Sequence, residues 1–308
     1  MATAFVFPGQ GSQKVSMGHD LFTSSKVGKK YFDLANKIME IDIQSIIFNG
    51  PEEKLKETQY TQPAIYIVSV ILGHILLEKG LQPDMVAGHS LGEYSACTLA
   101  GSLTFETGLS LVKLRAESMQ DAGITNPGTM AAIIGMTDED VVSLCNTISS
   151  DESVVVAANF NSPGQVVISG DINAVHEAME KARDLGARMA KELNVSGAFH
   201  SPLMEPAKKR LSAELDTIEI NTAAMPVYAN VTAQPTTEAD ELRSNLKNQL
   251  DCPVKWHETI DNMKSAGATE MMEVGPGRVL QGLTRRIDKN LISKGVENLQ
   301  QIEVIAHV

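Results

Sequence analysis

Apolar positions along the chain come in short runs separated by longer stretches of helical spacing, and that alternation sets the expected architecture. Residues 4–7 read as a short buried strand, closed by the breaker-rich turn Pro8-Gly9-Gln10-Gly11. Residues 64–79 carry many β-branched side chains, but the length of the run favours a buried helix. Pro63 would open that helix at its first position, and Gly80 would close it. Residues 84–88 read as a second buried strand, followed by helices over about 91–99 and from Thr104 or Phe105 to Gln120. Strands alternating with helices predict a parallel sheet with helical cover.

The texture changes near 123–128, where Asn126-Pro127-Gly128 signals a loop. Beyond it the pattern predicts a strand at 130–134, a helix at 138–148, and strands at 154–158 and 165–169 around Asn161-Ser162-Pro163-Gly164. A helix at 172–185 and a strand at 187–193 complete a β-α-β-β-α-β order, the ferredoxin-like arrangement. The first texture then resumes: a strand at 225–231, a helix at 254–265, a strand at 270–274 ended by Gly275-Pro276-Gly277, and a helix from Val279. The expected organisation is an α/β domain over 1–124 and 195–308, with a small ferredoxin-like subdomain inserted at 125–194.

Composition narrows the function. The 308 residues are 43% hydrophobic and 21% charged, an ordinary globular balance. A net charge of −12 repels phosphate backbones and argues against nucleic acid as a partner. Cys97, Cys145 and Cys252 are too far apart for a disulfide framework or a metal clasp and read as free thiols of a reducing compartment. The longest apolar run, 64–77, is too short to span a bilayer. The N-terminus lacks the basic and apolar regions of a signal peptide, so a soluble cytoplasmic protein is expected. The acceptor patterns Asn194-Val195-Ser196 and Asn230-Val231-Thr232 carry no meaning in that setting. No zinc-protease, EF-hand or phosphate-loop motif is found, and no metal or redox cofactor is implied.

The chemistry concentrates at Gly88-His89-Ser90-Leu91-Gly92, a G-x-S-x-G motif between an expected strand and helix. Such a turn strains the serine backbone and lifts its hydroxyl clear of the sheet. The helix start sets backbone N–H groups, that of Leu91 included, beside a carbonyl under attack. A serine nucleophile needs a base. His19 and His74 lie early, His89 adjoins the serine, His176 sits in a charged helix, and His307 is in the tail. His200, in a loop bounded by glycine and proline, is preferred only modestly over His257, and no triad acid can be singled out. Arg115 shares a helix face with Val112 and Met119. By itself such an arginine is expected to snorkel to solvent or a surface carboxylate; functionally its fork suits a substrate carboxylate.

Phe7-Pro8-Gly9-Gln10-Gly11-Ser12-Gln13, Gly88-His89-Ser90-Leu91-Gly92-Glu93, the Arg115 helix, Gly197-Ala198-Phe199-His200-Ser201 and Glu273-Val274-Gly275-Pro276-Gly277 together resemble the malonyl-CoA:acyl carrier protein transacylases of bacterial type II fatty acid synthesis. The pieces run in family order across nearly the whole chain. The resemblance implies an α/β-hydrolase-like parallel-sheet domain with the ferredoxin-like insertion. It implies Ser90 as nucleophile, His200 as base, Arg115 on the malonyl carboxylate, and oxyanion N–H groups from Gln10 and Leu91. It also implies that the Gln249 backbone carbonyl orients His200 in place of a triad acid. Met119 and Phe199 are expected at the substrate, Phe199 walling the pocket against an α-methyl group.

The partners implied are malonyl-CoA, a coenzyme A thioester used as substrate, and holo acyl carrier protein, with no membrane and with the chain acting as a monomer. Lys191, Arg278, Arg285 and Arg286 are candidates for meeting the acidic carrier, although ordinary solvated surface suits each of them. A serine thioesterase, a polyketide-pathway malonyl transferase and a non-catalytic carrier-docking module are the competing readings.

Overall fold

The computed structural model describes residues 2–306; His307 lies outside them. Two sheets organise the chain. The larger runs in the order β10 (Ile292–Val296), β9 (Ala268–Val274), β1 (Ala2–Phe7), β2 (Met85–Gly88), β7 (Val227–Tyr228) and β8 (Pro235–Thr236). All its pairings are parallel except the short β7–β8 edge. The smaller is antiparallel, in the order β4 (Val155–Ser162), β5 (Gln165–Asp171), β3 (Gly128–Ile134) and β6 (Met189–Glu192). With the helices Asp138–Ile148 and Ile172–Asp184 it forms the expected ferredoxin-like β-α-β-β-α-β unit. The fold class is therefore α/β, as the element order predicts.

Alternation along β1 explains how the larger sheet is held. Phe5 and Phe7 join the main core with the helix Thr58–Glu78. Ala4 and Val6 face a second core built on Trp256, Ile260, Met263, Leu280 and Leu283. A strand buried on both faces is what a parallel sheet between helical layers requires. The smaller sheet has its own core, centred on Ile133, Val141, Val166, Ile168 and Val175. The two units are stitched by main chain: Val254 N donates to Ala158 O and Phe160 N to Val254 O, both at 2.9 Å.

Four expectations are corrected. Pro63 does not open its helix; the helix begins at Thr58 and carries Pro63 inside it. Polar Thr58, Thr61 and Gln62 are fully buried there, so a polar stretch that looks like a loop is a helical first turn facing the protein interior. Asn161 and Ser162 belong to β4, and the turn contracts to Pro163-Gly164, with Gly164 at φ 69°. The strand expected at 225–231 shrinks to Val227–Tyr228, because the chain turns away to place Asn230 beside the serine. The texture change at 123–128 comes later than Gly123, since the helix Phe105–Thr125 runs through it. The elements the pattern left unassigned include the helices Lys26–Met39, Glu205–Leu215 and Ala239–Asn248 and the strand β10. The first of these buries Gly28, Phe32, Ala35 and Met39, a helical spacing that was there to be read.

Candidate active site

The carboxyl ends of β1 and β2 meet at the centre of the larger sheet, where open α/β sheets place their ligands. His89 N donates to Phe7 O (3.0 Å), locking the two ends together. Ser90 follows at φ 52°, a left-handed conformation that serine adopts only under constraint. The flanking glycines are a packing necessity. A Cβ on Gly88 would lie 1.9 Å from the Gly92 carbonyl carbon, and one on Gly92 would lie 2.0 Å from Phe7 O. The strained peptide is held at both sides: Ser90 N donates to Asn230 Oδ1 (2.7 Å), and Ser90 O accepts from Gln249 Nε2 (2.9 Å).

Ser90 Oγ is 2.8 Å from His200 Nε2 and accepts from Arg115 Nη2 at 3.1 Å. His200 also sits in the left-handed region, at φ 59°. Its loop is fixed by Ser201, whose Oγ donates to Ala198 O (2.6 Å) and caps the short turn Pro202–Met204. His200 Nδ1 lies 2.8 Å from the Gln249 backbone oxygen. A carbonyl can only accept, so Nδ1 carries the proton and Nε2 offers its lone pair to the serine. Burial, then the Arg115 charge, push the His200 pKa down to about 3, so the ring is neutral over the physiological range. The rival base, His257, is on the helix Trp256–Ser265 and pairs with Asp261 at 3.0 Å.

Arg115 overturns the expectation of a snorkelling side chain: it is fully buried. Nη1 donates to Gln62 Oε1 (2.6 Å) and Nη2 to Gln249 Oε1 (2.9 Å) as well as to Ser90 Oγ. Its guanidinium stacks over Tyr94 at 5.6 Å from the ring centre. It makes no ion pair with a carboxylate among the described residues, and its Nε has no partner there. Burial lowers its pKa, and nearby Tyr94 and Glu93 pull the other way.

The cleft over Ser90 measures about 200 Å³. Gly9, Gln10, His89, Phe199 and His200 line it, as do Asn159, Asn161, Gln165 and Val167 of the small sheet and Val279, Leu280 and Leu283 of the helix Val279–Ile287. The backbone N–H groups of Gln10 and Leu91 enter no hydrogen bond among the described residues. Met119, expected at the substrate, stands one layer back: it does not line the cleft, and its Sδ accepts from Gln62 Nε2 at 3.4 Å. The cleft-lining helix is pinned by Glu273, whose buried carboxylate accepts from Leu280 N (3.0 Å) and Gln281 N (3.1 Å). Arg278, Arg285 and Arg286 are exposed on or beside that helix, and Lys191 is exposed on β6. Among the described residues no group of acidic, histidine and cysteine side chains is arranged to hold a metal.

Sequence reasoning missed Gln62, Glu93, Asn161 and Asn230. His89 Nε2 bonds Asn161 Oδ1 (2.7 Å), tying the serine turn to the small sheet. Glu93 is fully buried and makes no ion pair among the described residues; burial raises its pKa to about 7 against the bonds it accepts from Gln249 and Asn230 and the nearby Arg115 charge. A glutamate as the one charged residue of a short helix was the available signal.

Residues 4–307 match the family model described as an acyl transferase domain. A malonyl CoA-acyl carrier protein transacylase from Bacillus subtilis is 40% identical over 301 residues, covering 98% of this chain and 95% of that one. The solved structure of the malonyl CoA-acyl carrier protein transacylase from Coxiella burnetii matches with a TM-score of 0.96 at 37% identity, over 99% of this chain and 97% of that one. A malonyl-transacylase in complex with a holo type II PKS acyl-carrier protein matches with a TM-score of 0.95 at 39% identity, over 100% and 99% of the two chains. The chain thus belongs to the acyl transferase family, among its malonyl CoA-acyl carrier protein transacylases.

Proposed function

We propose that the chain transfers a malonyl group from malonyl-CoA to the phosphopantetheine thiol of acyl carrier protein, through a malonyl ester on Ser90. The observation that carries this reading is the placement of Ser90 Oγ between a neutral imidazole and a buried guanidinium that makes no ion pair among the described residues. A hydrolase acting on neutral acyl groups has no need of that guanidinium. A malonyl carboxylate supplies the partner it lacks.

The steps follow from the geometry. His200 Nε2 takes the hydroxyl proton as Ser90 Oγ attacks the thioester carbonyl. In this reading the N–H groups of Gln10 and Leu91, which enter no hydrogen bond among the described residues, receive the oxyanion. His200 returns its proton to the departing coenzyme A sulfur, leaving the serine ester. The carrier thiol then repeats the sequence in reverse, giving its proton to His200 and regenerating Ser90. A carboxylate on Arg115 also cancels the positive charge that helps depress His200, so the right substrate strengthens the base that acts on it. Gln249, through its backbone carbonyl, does the orienting work of a triad acid. Phe199 walls the cleft; one methyl group more is worth about 1–3 kcal/mol in such a pocket, which makes malonyl over methylmalonyl a preference.

The division into 1–124 with 195–308 and an inserted 125–194 fits this reading, with the cleft between the two parts. The exposed arginines of the helix Val279–Ile287 suit an acidic carrier at the cleft mouth. The same reading has a monomer working in the cytoplasm without a bound cofactor; the free thiols Cys97, Cys145 and Cys252 suit that compartment.

The test is intact-protein mass spectrometry after brief exposure to malonyl-CoA, beside Ser90→Ala. An adduct on the wild type, lost in the variant and discharged by holo carrier protein faster than by water, is expected. Rapid discharge by water would make the protein a thioesterase, and no adduct on folded protein would end the reading.

A further inference from the structure

We propose that Glu93 is a positioning residue for acyl transfer: through Gln249 and Asn230 it fixes the strained Ser90 peptide and the aim of Arg115. The inference rests on the roles given above to Ser90 and Arg115.

Glu93 makes two bonds through one oxygen. Its Oε2 accepts from Gln249 Nε2 at 2.6 Å and from Asn230 N at 3.3 Å. Its Oε1 is buried without a partner. Gln249 is fully buried and every polar atom of its side chain is engaged: Nε2 on Glu93 and on Ser90 O, and Oε1 on Arg115 Nη2. The arginine only donates, and Glu93 Oε2 and the Ser90 carbonyl are the acceptors whether or not Glu93 carries a proton on Oε1, so the amide has a single workable orientation. Glu93 enforces it from the side away from the chemistry. Without that anchor the amide can turn, which loosens Arg115 and the Ser90 carbonyl together. The same residue lends its backbone carbonyl to His200, so the base shares the support.

Asn230 is the second arm. Its Oδ1 holds Ser90 N and its Nδ2 donates to Gly88 O at 2.6 Å, clamping both ends of the turn. Glu93 Oε2 receives its backbone N–H. One carboxyl oxygen thus ties the two residues whose side chains grip Ser90 at its N–H and its C=O. A strained conformation persists only where its surroundings over-determine it, and Glu93 joins those surroundings into one network.

Serine acylation would be followed by rapid quench and intact mass over a range of malonyl-CoA concentrations, with thermal melts as folding controls. Glu93→Met removes the acceptor and Glu93→Asp keeps the charge but shortens its reach. Both are expected to slow saturated acylation by about tenfold or more, while Glu93→Gln, which keeps an acceptor oxygen in place, stays within about threefold of wild type. Glu93→Met added to Gln249→Met should cost less than it does alone, because the two act through one path. Wild-type acylation rates in Glu93→Asp, a Glu93→Gln as slow as Glu93→Asp, or fully additive effects would each overturn the inference. Should Glu93→Met fail to fold, Glu93→Asp against Glu93→Gln still decides it. An unlabelled wild type would instead defeat the proposed function itself.

Discussion

The two sheets that border the cleft contribute unlike things. The parallel sheet supplies reactivity: its strand ends place Ser90 in a left-handed turn whose flanking glycines lie too close to neighbouring backbone to admit a Cβ. The antiparallel sheet supplies shape: Asn159, Asn161, Gln165 and Val167 form a wall, backed by a core of their own. The nucleophile follows a strand held between two hydrophobic layers, and its base sits in a loop fixed by Ser201. The wall residues sit on a smaller unit tied to the larger by two main-chain hydrogen bonds at Val254, side-chain bonds at His89 and Arg286, and the packing of Met130, Ala158 and Val167 into the main core. Precision in the first and tolerance in the second need different supports, and the fold keeps them apart.

That contrast can be broken most severely from the reactive side. Ser90→Ala or His200→Ala should lower malonyl transfer by about 10⁴-fold or more, read as initial rates of carrier malonylation, with unchanged melting. Arg115→Ala should reduce kcat/KM for malonyl-CoA by about 10²- to 10³-fold, the cost of losing a buried charged partner. Acetyl-CoA, which has no carboxylate, should suffer much less. An equal loss for both thioesters would mean that Arg115 only supports Ser90. On the shaping side, Asn161→Ala removes the tie to His89 and should raise KM several-fold at nearly constant kcat, for the loss of about 1 kcal/mol.

A smaller effect separates two buried titrations. The Glu93 pKa is raised above its ordinary value of 4.5 to about 7, so the folded state holds a proton that the unfolded state has released. Its contribution to stability therefore falls as pH rises from about 4.5 to 7. His200 acts oppositely: its pKa is lowered from 6.5 to about 3, so the unfolded state binds the extra proton and stability is lost as pH falls through that window. Glu93→Gln removes only the first. Its melting temperature relative to wild type should climb between pH 4.5 and 7, and a flat difference would count against a buried, reluctant carboxylate at that position.

What was legible in the sequence was whatever the backbone dictates locally. The serine turn is written in five adjacent residues, because a strand-to-helix turn needs glycines at fixed offsets. The ferredoxin-like unit could be read from element order alone. Gln62 and Asn230 were not legible: they are 53 and 140 residues from Arg115 and Ser90, and nothing local marks a glutamine or an asparagine as a clamp. Arg115 was misjudged on residue chemistry because snorkelling is the usual fate of an arginine on an apolar stripe. Only the buried acceptors Gln62 and Gln249, brought in by the fold, make its burial tolerable. Pro63 was misplaced for a related reason, since the polar turn before it is helical only where the interior offers partners.

The left-handed backbone at Ser90 also sets stability against function. Glycine adopts φ 52° without strain, so Ser90→Gly should melt higher than the active protein. Screening random variants for heat resistance alone would therefore drift toward an inert molecule. Within this family's scaffold, improvement of thermal endurance has to come from surfaces remote from the turn, and any gain at position 90 is a warning that turnover has been lost.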